Sequence, residues 1–131
     1  MASRLTEEFR QRTKRFAASV IRLYVAMPMQ NEEVRVCGKQ LLRSGTSVAA
    51  HVREASRARS DQEFTSKLGG ALQECDESLL WLELLREECH VGSIDSIQVE
   101  KEASEIIAIM TTMINRTKDS VTKPQASSYQ F

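Results

Sequence analysis

Apolar residues recur every three or four positions through four long segments of this chain, and almost nothing interrupts them. Val34, Cys37, Leu41, Gly45, Val48, Val52 and Ala55 keep the spacing of a bundle seam. Phe64, Leu68, Ala71, Cys75, Ser78, Leu82, Leu85 and Cys89 repeat it further on. Before them, Leu5, Phe9, Phe16, Val20, Leu23 and Met27 recur at three, four or seven. After them come Val99, Ala103, Ile106, Ile109 or Met110, and Met113. That period is the helix period, and no strand alternation of useful length competes with it. Only five Gly and two Pro occur in 131 residues, so the elements must be few and long.

The breaks between segments carry recognisable end signals. The first helix is expected over about 3–27, because Pro28 pushes Met27 out of the helical region. Asn31 is placed as an N-cap for a second helix over 32–58, with Glu32 and Glu33 favourable to its dipole. Ser60-Asp61-Gln62-Glu63 reads as a capping box opening a third helix, and Gly92 as its left-handed end. Asp95 with Gln98, and Ile94 with Val99, read as the capping box and hydrophobic staple of a fourth, ending near Lys118. Four amphipathic helices on short connections predict an all-α, antiparallel up-down-up-down four-helix bundle over 1–121. Residues 122–131, polar and proline-containing, read as a flexible tail whose Tyr129 and Phe131 can dock on a neighbour.

The third segment also bears Leu72, Leu79, Leu80 and Leu84 beyond its seam, so that helix should be covered on more than one side. The second contains "RSGTSVAAHVREA", residues 43–55, which concentrates small residues mid-helix where propensity disfavours them. If helices two and three fold back on each other, residue n sits opposite about 118 minus n, as in any antiparallel pair. Residues 44–50 then face Gly69, Gly70 and Ala71, and the small patches imply close approach of two helices, or of a helix and a neighbouring subunit. The same register puts Arg43 near Glu74 and Glu77, and Glu54 near Lys67. These are either a solvated face or semi-buried pairs that fix register. Trp81, on the line of Glu74 and Glu77, reads as a packing anchor.

Function classes narrow by chemistry. Cys37, Cys75 and Cys89 are far apart, odd in number and lack a CxxC, so buried free thiols are expected. His51 and His90 are the only histidines, and no catalytic triad, phosphate loop or HExxH motif is present. Glu74 and Glu77 lack the Glu-x-x-His companion of a di-iron bundle. No catalytic, cofactor or metal site and no small-molecule substrate is expected. No apolar run approaches the about 20 residues that span a bilayer. The opening "MASRLTEEFRQRTKRF" lacks a signal-peptide core, so the cytoplasm is the expected location and no membrane partner is expected.

Charge sums to zero but is uneven. Residues 4–22 carry six Lys/Arg against two Glu, residues 35–59 six against one, and residues 61–90 two against eight acids. Such asymmetry serves helix pairing, subunit pairing, or a basic surface for nucleic acid. For the last use, Arg10, Arg12, Lys14, Arg15, Arg22, Arg53, Arg57 and Arg59 are the candidate phosphate contacts. No aromatic interleaving suggests single-strand stacking.

"QLLRSGTSVAAHVREA" followed by "SDQEFTSKLGGALQECDESLLWLELL" resembles the bacterial four-helix-bundle proteins encoded within 23S rRNA intervening sequences, the S23-type family. The likeness runs from about Pro28 to Leu85 and rests on Arg43, Ser44, Ser47, Ala50, Glu54, Phe64, Lys67, Ala71, Glu74, Glu77, Trp81 and Leu82. The family usually has Asn where this chain has His51, so a satisfied structural role is expected for that imidazole. The resemblance implies a four-helix bundle and, commonly, a homopentameric ring. It also implies kinship with the accessory proteins of diversity-generating retroelements, which bind nucleic acid and partner a reverse transcriptase. The resulting expectation is a non-enzymatic homo-oligomer. The alternative is an accessory protein that binds RNA or DNA through basic residues of its first two helices. A protein partner remains a third possibility for the assembly.

Overall fold

A computed structural model describes residues 5–128, with side chains described as far as residue 120. Four helices follow one another: α1 (Glu7–Val25), α2 (Glu32–Ser56), α3 (Asp61–Glu87) and α4 (Ile94–Ser128). Each packs on the next, and α1 also meets α4, closing an up-down-up-down bundle. Among the described residues, no helix is long and apolar enough to cross a membrane.

The helix ends follow local chemistry, with several corrections. α1 starts at Glu7 and not near Ser3, because the Thr6 hydroxyl accepts the Phe9 amide at 3.0 Å. Asn31 holds the N-cap position of α2 with an extended backbone, but its side chain makes no capping bond. Ser60 caps α3, its hydroxyl accepting from the Glu63 amide at 3.0 Å, which is the serine half of the expected capping box. Gly92 does not supply the left-handed turn after α3. His90 does, with φ 57°, and histidine is among the residues that tolerate that region.

The box opening α4 is Ser93 with Ser96, not Asp95 with Gln98. Each serine hydroxyl accepts the other's amide, at 2.9 and 3.1 Å. Ile94 is 76% exposed, so it does not staple onto Val99. α4 stays helical through Ser128, beyond the expected end near Lys118. The expected flexible tail, 122–131, falls where side chains, and from 129 the backbone too, lie outside the described residues.

The seams form one core. Val20, Val34, Leu41, Val48, Leu68, Ala71, Cys75, Ala103, Ile106 and Met110 are completely buried. Met110 takes the seat left open between it and Ile109, which is only partly covered. Cys37 and Cys89, expected as buried thiols, are partly exposed; only Cys75 is buried. Trp81 packs on the rim of the core, consistent with an anchor.

The α2–α3 register is close to the expected one, but it explains only part of the small stretch. Arg43 reaches Glu74 at 2.9 Å and Glu77 at 2.8 Å, and Lys67 reaches Glu54 at 3.1 Å. Ser44 and Ser78 share a buried hydroxyl–hydroxyl bond at 2.8 Å. The glycines, however, do not face one another. A β-carbon on Gly45 would lie 2.8 Å from both Val20 methyls, so Gly45 lets α1 approach α2, not α3. Gly70 makes room for the His51 ring, and Gly69 faces open space.

Candidate functional site: a basic groove and an apolar edge

Ala49 and Ala50 interrupt the side-chain cover on the outer face of α2, and two confluent grooves open there. One runs between α1 and α2 and is lined by Arg10, Lys14, Arg53 and Arg57 with Glu7. The other runs between α2 and α3 and is lined by Arg53, Arg57, Arg59 and Lys67 with Glu54 and Glu63. Arg53 and Arg57 belong to both. Six cationic side chains therefore surround one surface with three carboxylates among them. The short alanines leave room for an extended polyanion to approach the helix backbone.

Five of the eight candidate phosphate contacts converge here: Arg10, Lys14, Arg53, Arg57 and Arg59. Arg10 is partly engaged, its Nε donating to Glu7 at 3.0 Å. Lys67 joins them from α3. In sequence nothing marks it as a phosphate contact, because it lies in the acidic third segment with only Arg86 for company.

The other three candidates are placed elsewhere. Arg12 turns toward α4 and grips Glu102 in a two-point contact, Nε at 2.8 Å and Nη2 at 2.7 Å, with Glu105 at 3.1 Å. That hydrogen bond holds the Glu102 carboxyl below its ordinary pKa, despite partial burial. Arg12 thus ties α1 to α4 and is spent structurally. Arg15 pairs loosely with Glu8 at 3.7 Å, and Arg22 donates to Ser19 Oγ at 3.2 Å. Neither lines the grooves.

The residues that carried the family resemblance form the α2–α3 seam. Arg43, Glu74 and Glu77 bridge it on one flank, and Ser44 bonds Ser78 within it. Phe64 is buried at its end. His51 bonds the backbone carbonyl of Ser47 through Nδ1 at 3.0 Å, which fixes the ring against Gly70. Lys67 and Glu54 are shared between seam and groove. His90 sits exposed at the turn after α3. Among the described residues, no cluster of three or more His, Cys, Asp or Glu could hold a metal ion.

Six large apolar side chains are also exposed among the described residues. Val25 is 77%, Ile94 76%, Ile97 55%, Val36 49%, Leu80 48% and Ile21 44% exposed. Val25 and Ile94 adjoin Ala26 and Ser93, which line a notch of about 200 Å³ floored by Leu23, Met27, Leu82, Leu85 and Val91.

A family model described as 23S rRNA-intervening sequence protein matches residues 6–112. A crystal structure from Bacteroides thetaiotaomicron, described as a protein with unknown function from the S23 ribosomal protein family, is similar. It is 32% identical, covering 81% of this chain and 97% of its own, with a TM-score of 0.74. None of the curated proteins matches.

Proposed function

The chain belongs to the 23S rRNA-intervening sequence protein family, and from that premise we propose that it is a cytoplasmic, non-enzymatic interaction protein that works as a homo-oligomer, in the form of a pentameric ring. The observation that carries this reading is the exposed apolar edge, with Val25 and Ile94 more than three-quarters exposed. A ring joins unlike surfaces, and this chain has them: bases on α1 and α2, acids on α3. Light scattering on the purified chain should return five times 14.8 kDa. Reversing Glu83 and Glu87 to lysine should lower that mass at fixed protein concentration, because the acidic side of the contact is lost. An unchanged mass after both reversals would remove charge pairing from the assembly.

The basic groove favours a second reading, an accessory protein that holds RNA or DNA by its phosphates. The kinship that the family resemblance implies with the accessory proteins of diversity-generating retroelements is in line with it. Repetition of the groove around a ring would convert a modest local charge into a continuous electrostatic track. Binding to a structured RNA and to duplex DNA should then weaken steeply as salt rises. Arg53→Glu with Arg57→Glu should reduce affinity by at least about tenfold, because both line both grooves and phosphate contacts dominate such binding. Arg22→Glu should change it little. Absence of binding at low salt would leave self-assembly and a protein partner as the function.

A further inference from the structure

Cys37 lies in the second turn of α2, and Cys89 follows the last turn of α3. The register that brings Ser44 to Ser78 brings Cys37, one heptad back, to the level of Leu85. There the chain folds over the end of α3: the Cys89 amide donates to the Leu84 carbonyl at 3.1 Å, and the Val91 amide to the Leu85 carbonyl at 2.8 Å. The fold-back carries Cys89 back toward the Cys37 end of the seam, where both pack against the rim of the core and the Cys37 thiol helps to hold the Cys89 pKa up. Both are partly exposed on the rim of the core. Cys75 is their opposite. It is fully buried, its thiol donates to the Ala103 carbonyl at 3.5 Å, and burial pushes its pKa up to about 12.

We propose that Cys37 and Cys89 form a modification site: a dithiol that a low-molecular-weight disulfide, such as oxidised glutathione, closes into a disulfide joining α2 to α3. One protein thiolate attacks the reagent disulfide, giving a mixed disulfide and one reduced reagent thiol. The second protein thiolate attacks the protein sulfur of that mixed disulfide. This forms the Cys37–Cys89 bond and expels the second reagent thiol. Two protein thiols are oxidised, one reagent disulfide is reduced, and the two thiol protons end on the two released reagent thiols. Burial holds the Cys89 pKa up, with the Cys37 thiol and the Glu33 and Glu88 charges adding to it, so the exchange is slow. The bridge would pin the end of the bundle that leads into α4, and would remove freedom from the unfolded chain.

The test incubates the full reduced chain with oxidised glutathione, then maps peptides without reduction. The expected product has lost two hydrogens, contains a Cys37–Cys89 linked peptide, and keeps Cys75 as its one free thiol. Its thermal midpoint should rise by roughly 5–10 °C and fall back on adding reductant. Cys37→Ser and Cys89→Ser should each gain a glutathione without that rise, while Cys75→Ser should still form the bridge. Three free thiols after prolonged exposure, a bridge that includes Cys75, or covalent dimers as the main product would each overturn the proposal.

Discussion

Gly45→Val should destabilise the bundle by about 2 kcal/mol or more, although valine is the better helix former. Propensity and packing have opposite signs at this position, which makes the result decisive. A β-carbon at Gly45 falls 2.8 Å from both methyls of Val20, closer than real β-carbons come. Val20 is completely buried and β-branched, so it has no free rotamer into which to retreat. The strain must be relieved by moving α1 away from α2, which also loosens the contacts around Phe16 and Leu41. Chemical denaturation of Gly45→Val, Val20→Ala and the double variant checks this. Val20→Ala alone leaves a cavity and costs stability, yet the double variant should be less destabilised than the sum by about 1 kcal/mol or more. A stabilised Gly45→Val would mean that α1 and α2 are not in close contact there.

Leu68→Ala should cost about 2–5 kcal/mol, enough to unfold much of a marginally stable domain at physiological temperature. Leu68 is completely buried in the α3 seam, in the same core as Val48, Val52, Ile106 and Met110. Helices on both sides of α3 are held by their own neighbours, so the hole can collapse only partly. Leu80→Ala, one helix with the same chemistry, is the informative contrast. Leu80 is 48% exposed, so its loss should cost the isolated fold less than about 1 kcal/mol and act, if anywhere, on assembly. Both variants need comparison at one protein concentration, because assembly adds to apparent stability. Equal losses for the two would mean that Leu80 is buried in the assembled protein at all concentrations tested.

The basic groove was half legible in the sequence. Arg53 in the last turn of α2, Arg57 at its C-cap and Arg59 in the short connection to α3 follow one another closely in the chain, and Arg10 and Lys14 repeat at i, i+4 on α1, so their clustering is a matter of local spacing. That α1 lies beside exactly this stretch of α2 is a matter of packing. So is the loss of Arg12, two residues from Arg10 and turned toward Glu102 on a helix ninety residues away. Nothing local distinguishes an arginine facing a groove from one facing a carboxylate of a distant helix.

By itself the sequence determined the number of helices, their approximate ends, the apolar seams and the α2–α3 register. These depend on the 3.6-residue period and on short turns, and both are local quantities. Where two serines formed the start of α4 in place of Asp95 and Gln98, the choice lay between competing local caps of similar worth. The tertiary structure alone decided which neighbour each small residue meets. Gly45 and Ser44 are adjacent in sequence, yet one admits Val20 of α1 and the other bonds Ser78 of α3. A helix advances 100° per residue, so consecutive positions point at different partners, and only the placement of all four helices says which. The same holds for Cys37 and Cys89, remote in sequence and brought together by a fold-back whose left-handed residue is a histidine, not the nearby glycine.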